Sequence, residues 1–190
     1  FIILLVCVFL VNQIKLGSEE FYFEGEEIQI LDEGNKLLSK NGVKITTNTD
    51  LVFESEEFEY DKTKLELVLN NNVLIRDVKK NILIKTNKIK YFKKNDKLFT
   101  YETTEVNINN EYLIKSDDIV FDRIEGTLSS NKDTSIVDNY KNKLISSEFK
   151  FFTRDGIIKA KDALFKDSFG NNTFLTNFVS NLNDDVFFGK

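Results

Sequence analysis

The chain of 190 residues has no histidine, proline, tryptophan or methionine, and its single cysteine is Cys7. Without histidine, and with no thiol beyond residue 7, the usual hydrolytic triads, thiol nucleophiles and zinc sites cannot be assembled. No disulfide can form within the chain. Arginine is scarce, at Arg76, Arg123 and Arg154 only, and the net charge is −5, which together argue against a nucleic-acid partner. Carboxylate pairs such as Glu26-Glu27 and Glu56-Glu57 remain. Neighbours on a strand face opposite ways, so these pairs read as solvated positions at a bend rather than as an acid/base couple. Asn181, Asn183 and Asp185 have the alternate spacing of a calcium loop but lack its glycine and distal glutamate. The composition predicts a non-enzyme with no cofactor and no metal site. The abundance of phenylalanine, isoleucine, asparagine and lysine resembles the output of an AT-rich genome.

Residues 1–11 are an unbroken apolar run, too short to span a bilayer comfortably but the length of a secretory hydrophobic stretch. A buried strand is the alternative. The expectation is a signal segment over 1–17 whose charged start is missing, followed by one domain over 18–190, a length suited to a single core.

What is present is a repeat. Gly25, Ser55, Thr86, Ser116 and Ser146 recur at intervals of about thirty residues, each inside the same apolar phrase. The phrases run from Phe23 through Gly25 to Ile28 and Ile30, from Phe53 through Ser55 to Phe58 and Tyr60, and from Ile84 through Thr86 to Ile89 and Tyr91. Two more run from Ile114 through Ser116 to Ile119 and Phe121, and from Leu144 through Ser146 to Phe149 and Phe151. Apolar residues alternate before and after the small residue, but the two sets are out of step. Side chains on a regular strand change face at every residue, so Phe53 and Phe58 can both point inward only across a bulge or bend.

A turn signal follows each phrase, at 32–35, 61–64, 93–96, 122–126 and 153–156, and a second strand follows each turn. Asn41, Asn70, Asn71 and Asn72 interrupt the returning strands, where asparagine takes up irregular backbone. Short loops imply antiparallel pairing. The predicted fold is all-β, a repeat-built antiparallel meander whose strands bend at one level into a folded-sheet trough. Ten or more strands divided between two walls at about 4.8 Å spacing would make a groove about 25 Å long.

The predicted lining is Phe23, Ile28, Phe53, Phe58, Tyr60, Val73, Ile75, Ile84, Ile89, Tyr91, Ile114, Ile119, Phe121, Phe149 and Phe151. Either the walls close and these residues are core, or the interior holds something apolar. Charge is segregated along the chain. Residues 18–61 hold thirteen acids against three lysines, whereas 79–97 hold eight lysines against Asp96 alone. Lys79, Lys80, Lys93 and Lys94 are candidates for lipid phosphates or an acidic partner, with a plain solvated face as the alternative.

The repeated phrase, with Asn72-Val73-Leu74-Ile75-Arg76-Asp77 and Ala163-Leu164-Phe165-Lys166-Asp167, resembles the OstA-like family of lipopolysaccharide transport over residues 20–190. It looks most like those members whose periplasmic N-terminal part precedes an outer-membrane barrel, with the smaller free-standing bridge proteins as relatives. The segment from Asp184 to Lys190 looks like the stretch just before such a barrel. The resemblance implies an open β-jellyroll in the periplasm that shields lipopolysaccharide acyl chains. It also implies docking edge to edge with a periplasmic bridge partner and, where a barrel follows, an outer-membrane lipoprotein partner. A structural or adhesive β-repeat protein with a closed core is the alternative from another class.

Overall fold

The alternating apolar residues of each phrase make strands, and the strands break or bend beside the small residue. The computed structural model describes residues 20–181 and 186–189, which hold nineteen strands in one antiparallel sheet. The signal-like run with Cys7, and Asn183 and Asp185 of the calcium-like spacing, lie outside the described residues.

The first unit supplies β1 (Phe21–Glu24), β2 (Gln29–Leu31), β3 (Lys36–Ser39) and β4 (Val43–Thr47). The second gives β5 (Leu51–Ser55), β6 (Glu57–Asp61) and the long β7 (Glu66–Asp77). Equally continuous is β8 (Ile82–Phe92), from which β9 (Lys97–Tyr101) and β10 (Thr103–Ile108) return. The fourth unit is β11 (Tyr112–Asp117), β12 (Val120–Asp122), β13 (Thr127–Ser130) and β14 (Thr134–Asp138). The fifth is β15 (Lys143–Ser146), β16 (Glu148–Phe152) and β17 (Ile157–Lys166), followed by β18 (Asn172–Asn181) and β19 (Val186–Gly189).

These strands sort into two walls. The first runs β1-β4-β5-β7-β8-β10-β11-β14-β15-β17-β18. The second runs β2-β3-β6-β7-β8-β9-β12-β13-β16-β17-β18-β19. β7, β8, β17 and β18 pass from one wall to the other, and elsewhere the crossing falls between consecutive strands. All five predicted turns lie along the free rim of the second wall. The all-β folded meander is therefore the observed architecture. Its length corrects the expectation: a wall of eleven strands at about 4.8 Å spacing is about 50 Å long, twice the predicted value. Each unit feeds strands to both walls rather than dividing them.

The crease has two components, left-handed backbone and a row of small side chains, and the sequence pattern pointed to part of each. On the returning strands the chain turns through left-handed residues, with φ of 80° at Gly42, 62° and 50° at Asn71 and Asn72, 67° at Glu102 and 46° at Asp162; on an outgoing strand Asp118 has 53°. In the β7–β8 pair the register moves from Asn70↔Lys88 to Val73↔Thr86, so two asparagines oppose Asn87 alone. This is a bulge, and it reverses the facing of the side chains beyond it.

The small residues line the inner side of the crease rather than making the bend. Ser55, Thr86, Ser116 and Ser146 are buried, and the returning strands add buried Ser39, Thr100, Thr104, Ser130 and Thr134. Together they form a row of hydroxyls that take up backbone groups freed by the bend. Thr104 Oγ1 lies 2.8 Å from Thr100 Oγ1 and 3.1 Å from Thr86 Oγ1, while Thr100 Oγ1 accepts the Ile119 N–H at 2.9 Å. Thr134 Oγ1 lies 2.8 Å from Ser116 Oγ, and Ser130 donates to the Asp117 carbonyl at 2.7 Å. Gly25 is the exception. It is exposed, and a Cβ there would stand 3.0 Å from the Gly42 carbonyl oxygen. At the other end the row runs out: β17 offers Ala160 and Ala163, and Ser146 Oγ has no partner among the described residues.

Two outcomes are expected in urea unfolding. Ser116→Trp destabilises by about 1–3 kcal/mol through overpacking, while Lys62→Trp in an exposed turn leaves the midpoint unchanged; equal effects would count against the crease. Thr104→Val costs about 1–2 kcal/mol by stranding its neighbours, whereas Ser146→Ala is neutral or stabilising because it removes a buried hydroxyl that bonds nothing.

Candidate functional site

Because the bulge reverses side-chain facing, the apolar residues on both halves of each strand point into the space between the walls. Phe53, Ile75, Ile84, Ile89, Tyr91, Ile114, Ile119 and Phe121 are fully buried there, as are Phe58, Tyr60, Val73, Phe149 and Phe151 to within a few per cent. Phe23 and Ile28 are half-buried against them. The two walls pack directly on each other along most of the interior.

Aromatic rings fill the N-terminal end. Phe23 stacks on Phe58 at 5.3 Å between centroids, Phe21 meets Tyr60 edge-on at 5.1 Å, and Phe53 lies 5.4 Å from Tyr91. Such pairs add about 0.5–1.5 kcal/mol each beyond their burial. Lys93, from the second-wall rim, reaches across the mouth to lie 4.9 Å over the Phe21 ring of the first wall.

In the middle, an ion cluster ties the two rims together. Arg123 leaves the turn after β12 on the second wall, and its Nε donates to Asp77 Oδ2 of the first wall at 3.1 Å. Its Nη1 donates to Asp96 Oδ1 at 2.8 Å and its Nη2 to the Thr49 carbonyl at 3.2 Å. Tyr91 donates its hydroxyl to the same Asp96 oxygen at 2.7 Å. The Arg123 and Asp77 side chains are 8% and 1% exposed, so this pair is well screened from water. Burial pulls the guanidinium down, but Asp96 and Asp77 outweigh it and hold Arg123 above its ordinary value.

Beyond the cluster, toward the C-terminal end, the walls part. A cavity of about 240 Å³ lies between them, lined by Tyr112, Ile136 and Leu144 of the first wall, Ile158 and Phe178 of the second, and Phe165. Asn142 and the exposed Tyr140 stand at its first-wall rim. None of these lining residues was among the predicted set, although Ile136, Leu144 and Ile158 sit at the repeat's inward positions. The signal that could have found them is the repeat itself, since Leu144 occupies the place of Ile84 and Ile114 in their phrases and pairs with Ile136.

The four candidate lysines lie on the two rims of the mouth. Lys79 and Lys80 are in the turn at 78–81 of the first wall, and Lys93 and Lys94 in the turn at 93–95 of the second. Lys79 and Lys94 are exposed, whereas Lys80 and Lys93 are half-buried and lean inward over Phe121 and Phe21. Of the acids of 18–61, Glu24 of β1, Glu54 of β5, and Glu57, Glu59 and Asp61 of β6 lie on strands at the N-terminal end of the walls.

No protein-family model matches the chain, and no curated protein matches it. Function therefore has to be argued from the molecule's own geometry.

Arg123→Leu leaves Asp77 buried without its partner and should destabilise by about 3–5 kcal/mol. Arg76→Leu, which breaks the half-exposed pair with Glu54 at 2.6 Å, should cost under about 1 kcal/mol. Urea midpoints of the two variants compare them directly, and similar losses would mean that Arg123 does not hold the mouth.

Proposed function

We propose that this chain is a periplasmic lipid trough of lipopolysaccharide transport, an OstA-like domain of the kind that forms the N-terminal part of LptD or the free-standing bridge LptA. The observation that carries this reading is the apolar interior of a folded sheet that opens into a cavity bounded by both walls. Acyl chains gain roughly 0.8 kcal/mol for each methylene buried, so such a space retains lipid without polar recognition of the chain. The role is non-enzymatic.

Two sheet ends, unpaired among the described residues, supply the docking chemistry. β1 and β2 form one end, with Tyr22, Ile30 and Leu31 exposed, and the β18 end carries Phe174 at 79% exposure. Open edges of this kind extend into a neighbour by strand addition, here a bridge partner of the same fold. An LptD-type chain would in addition meet an outer-membrane lipoprotein.

A second reading has its own observation. The middle and N-terminal interior is packed shut, with Phe53, Ile84 and Tyr91 at 0–1% exposure, as in a structural or adhesive β-repeat protein with a closed core. Photo-crosslinking in cells separates the two. A benzophenone side chain at Phe165 or Phe178, facing the cavity, is expected to capture lipopolysaccharide, and one at the outward Lys150 is not. Labelled protein without lipid at both inward positions would favour the closed repeat.

A further inference from the structure

Between the Arg123 cluster and the C-terminal cavity lies a smaller opening of about 100 Å³ at the mouth, and two cations face it from opposite walls. Lys80 comes from the first-wall turn at 78–81 and Arg154 from the second-wall turn at 153–156. The floor beneath them is apolar, formed by Ile82, Ile108 and Phe151.

Neither cation has a carboxylate partner within salt-bridge distance among the described residues. Lys80 Nζ lies 5.0 Å over the Phe121 ring and 3.4 Å from the Arg123 carbonyl oxygen. Arg154 Nη2 donates to the Ile124 carbonyl at 2.5 Å. Glu111 also lines the opening, but it is exposed and pairs with neither.

Arg154 is also held in place. Its side chain crosses Gly126, where φ is +69° and a Cβ would stand 3.1 Å from Arg154 Nε and 3.2 Å from its Cγ. A substituent at 126 would push the guanidinium away. Burial holds the Lys80 ammonium below its ordinary value; Asp77 and Asp96 oppose this, while Arg123 and Arg154 add to it. Positive charge is thus concentrated at this point of the mouth with less carboxylate than it could use.

We propose that Lys80 and Arg154 form a binding site for the phosphate headgroup of an acyl amphiphile whose chain lies on the apolar floor beneath. A phosphate suits this pair because the guanidinium fork and the ammonium point charge both donate charge-assisted bonds to its oxygens. The inference rests on the lipid-trough reading and adds what that reading lacks, a polar anchor that sets the position of the headgroup. It also divides the four rim lysines: Lys80 binds, and the exposed Lys79 and Lys94 do not.

Isothermal titration of the full chain with monododecyl phosphate, dodecyl maltoside and inorganic phosphate, each amphiphile below its micelle concentration, tests the site. Monododecyl phosphate should bind about tenfold or more tighter than the maltoside, the scale of one charge-assisted bond. Lys80→Gln, Arg154→Gln and Gly126→Ala should each erase most of that difference, while Lys94→Gln keeps it. Arg154 is exposed, so its variant retains the fold even if Gly126→Ala does not. Equal affinity for the two amphiphiles overturns the headgroup site and leaves the trough standing. Inorganic phosphate binding as tightly as its dodecyl ester overturns it in favour of a free-anion site. Binding of neither amphiphile overturns both the site and the lipid reading.

Discussion

A strand in an antiparallel ladder can bend only where its neighbours bend, because the hydrogen bonds between them fix the register. That constraint governs this molecule. The bends recur with the repeat at one level, passing through Gly42, Asn71 and Asn72, Glu102, Asp118 and Asp162, and so fold one sheet into two walls. The extra residue at a bulge also reverses which side chains face inward. Without that reversal, Phe58 and Tyr60 would face solvent whenever Phe53 faced the core. The hydroxyl row follows from the same geometry, since a bend interrupts ladder bonds and leaves backbone groups that need partners in a buried place.

Given two walls, the character of the interior depends on side-chain volume and on what spans the mouth. The N-terminal end is filled by six large rings, Phe21, Phe23, Phe53, Phe58, Tyr60 and Tyr91, which meet across the gap. In the middle, one buried arginine bonds to both rims. At the C-terminal end the walls part between Leu144 and Phe178, and a cavity results. One repeat after Arg123 the same position is Thr153, and the arginine falls one residue later. Arg154 therefore lies back along its own rim to Ile124 rather than joining the cluster. A single-residue displacement separates a cation that closes the mouth from one that lines an opening in it.

The fold was largely legible because its information is local and repeated. Phe53, Ser55 and Phe58 show by spacing alone that the chain bends between two inward residues, and the turn at 61–64 shows that it then reverses. The left-handed residues were legible only in part: Asn71 and Asn72 announce themselves by type, whereas Glu102, Asp118 and Asp162 are ordinary surface residues in sequence. The inward residues were legible as inward, but the cavity was not. Whether Ile89 or Phe178 faces a neighbour or empty space depends on residues from the opposite wall, far away in the chain. The partners of Arg123 are equally distant: Asp77 and Thr49 stand 46 and 74 residues before it.

The sequence by itself determined the strands, their common level of bending, their antiparallel order and the apolar character of the interior, because each is set by periodicity and turn chemistry within about thirty residues. Tertiary structure alone decided where that interior is packed and where it is open. It also decided that Arg123 joins the rims and that Lys80 and Arg154 face each other across the mouth. Those are outcomes of contact between walls, and contact between walls depends on the volumes and charges of side chains that share no local pattern.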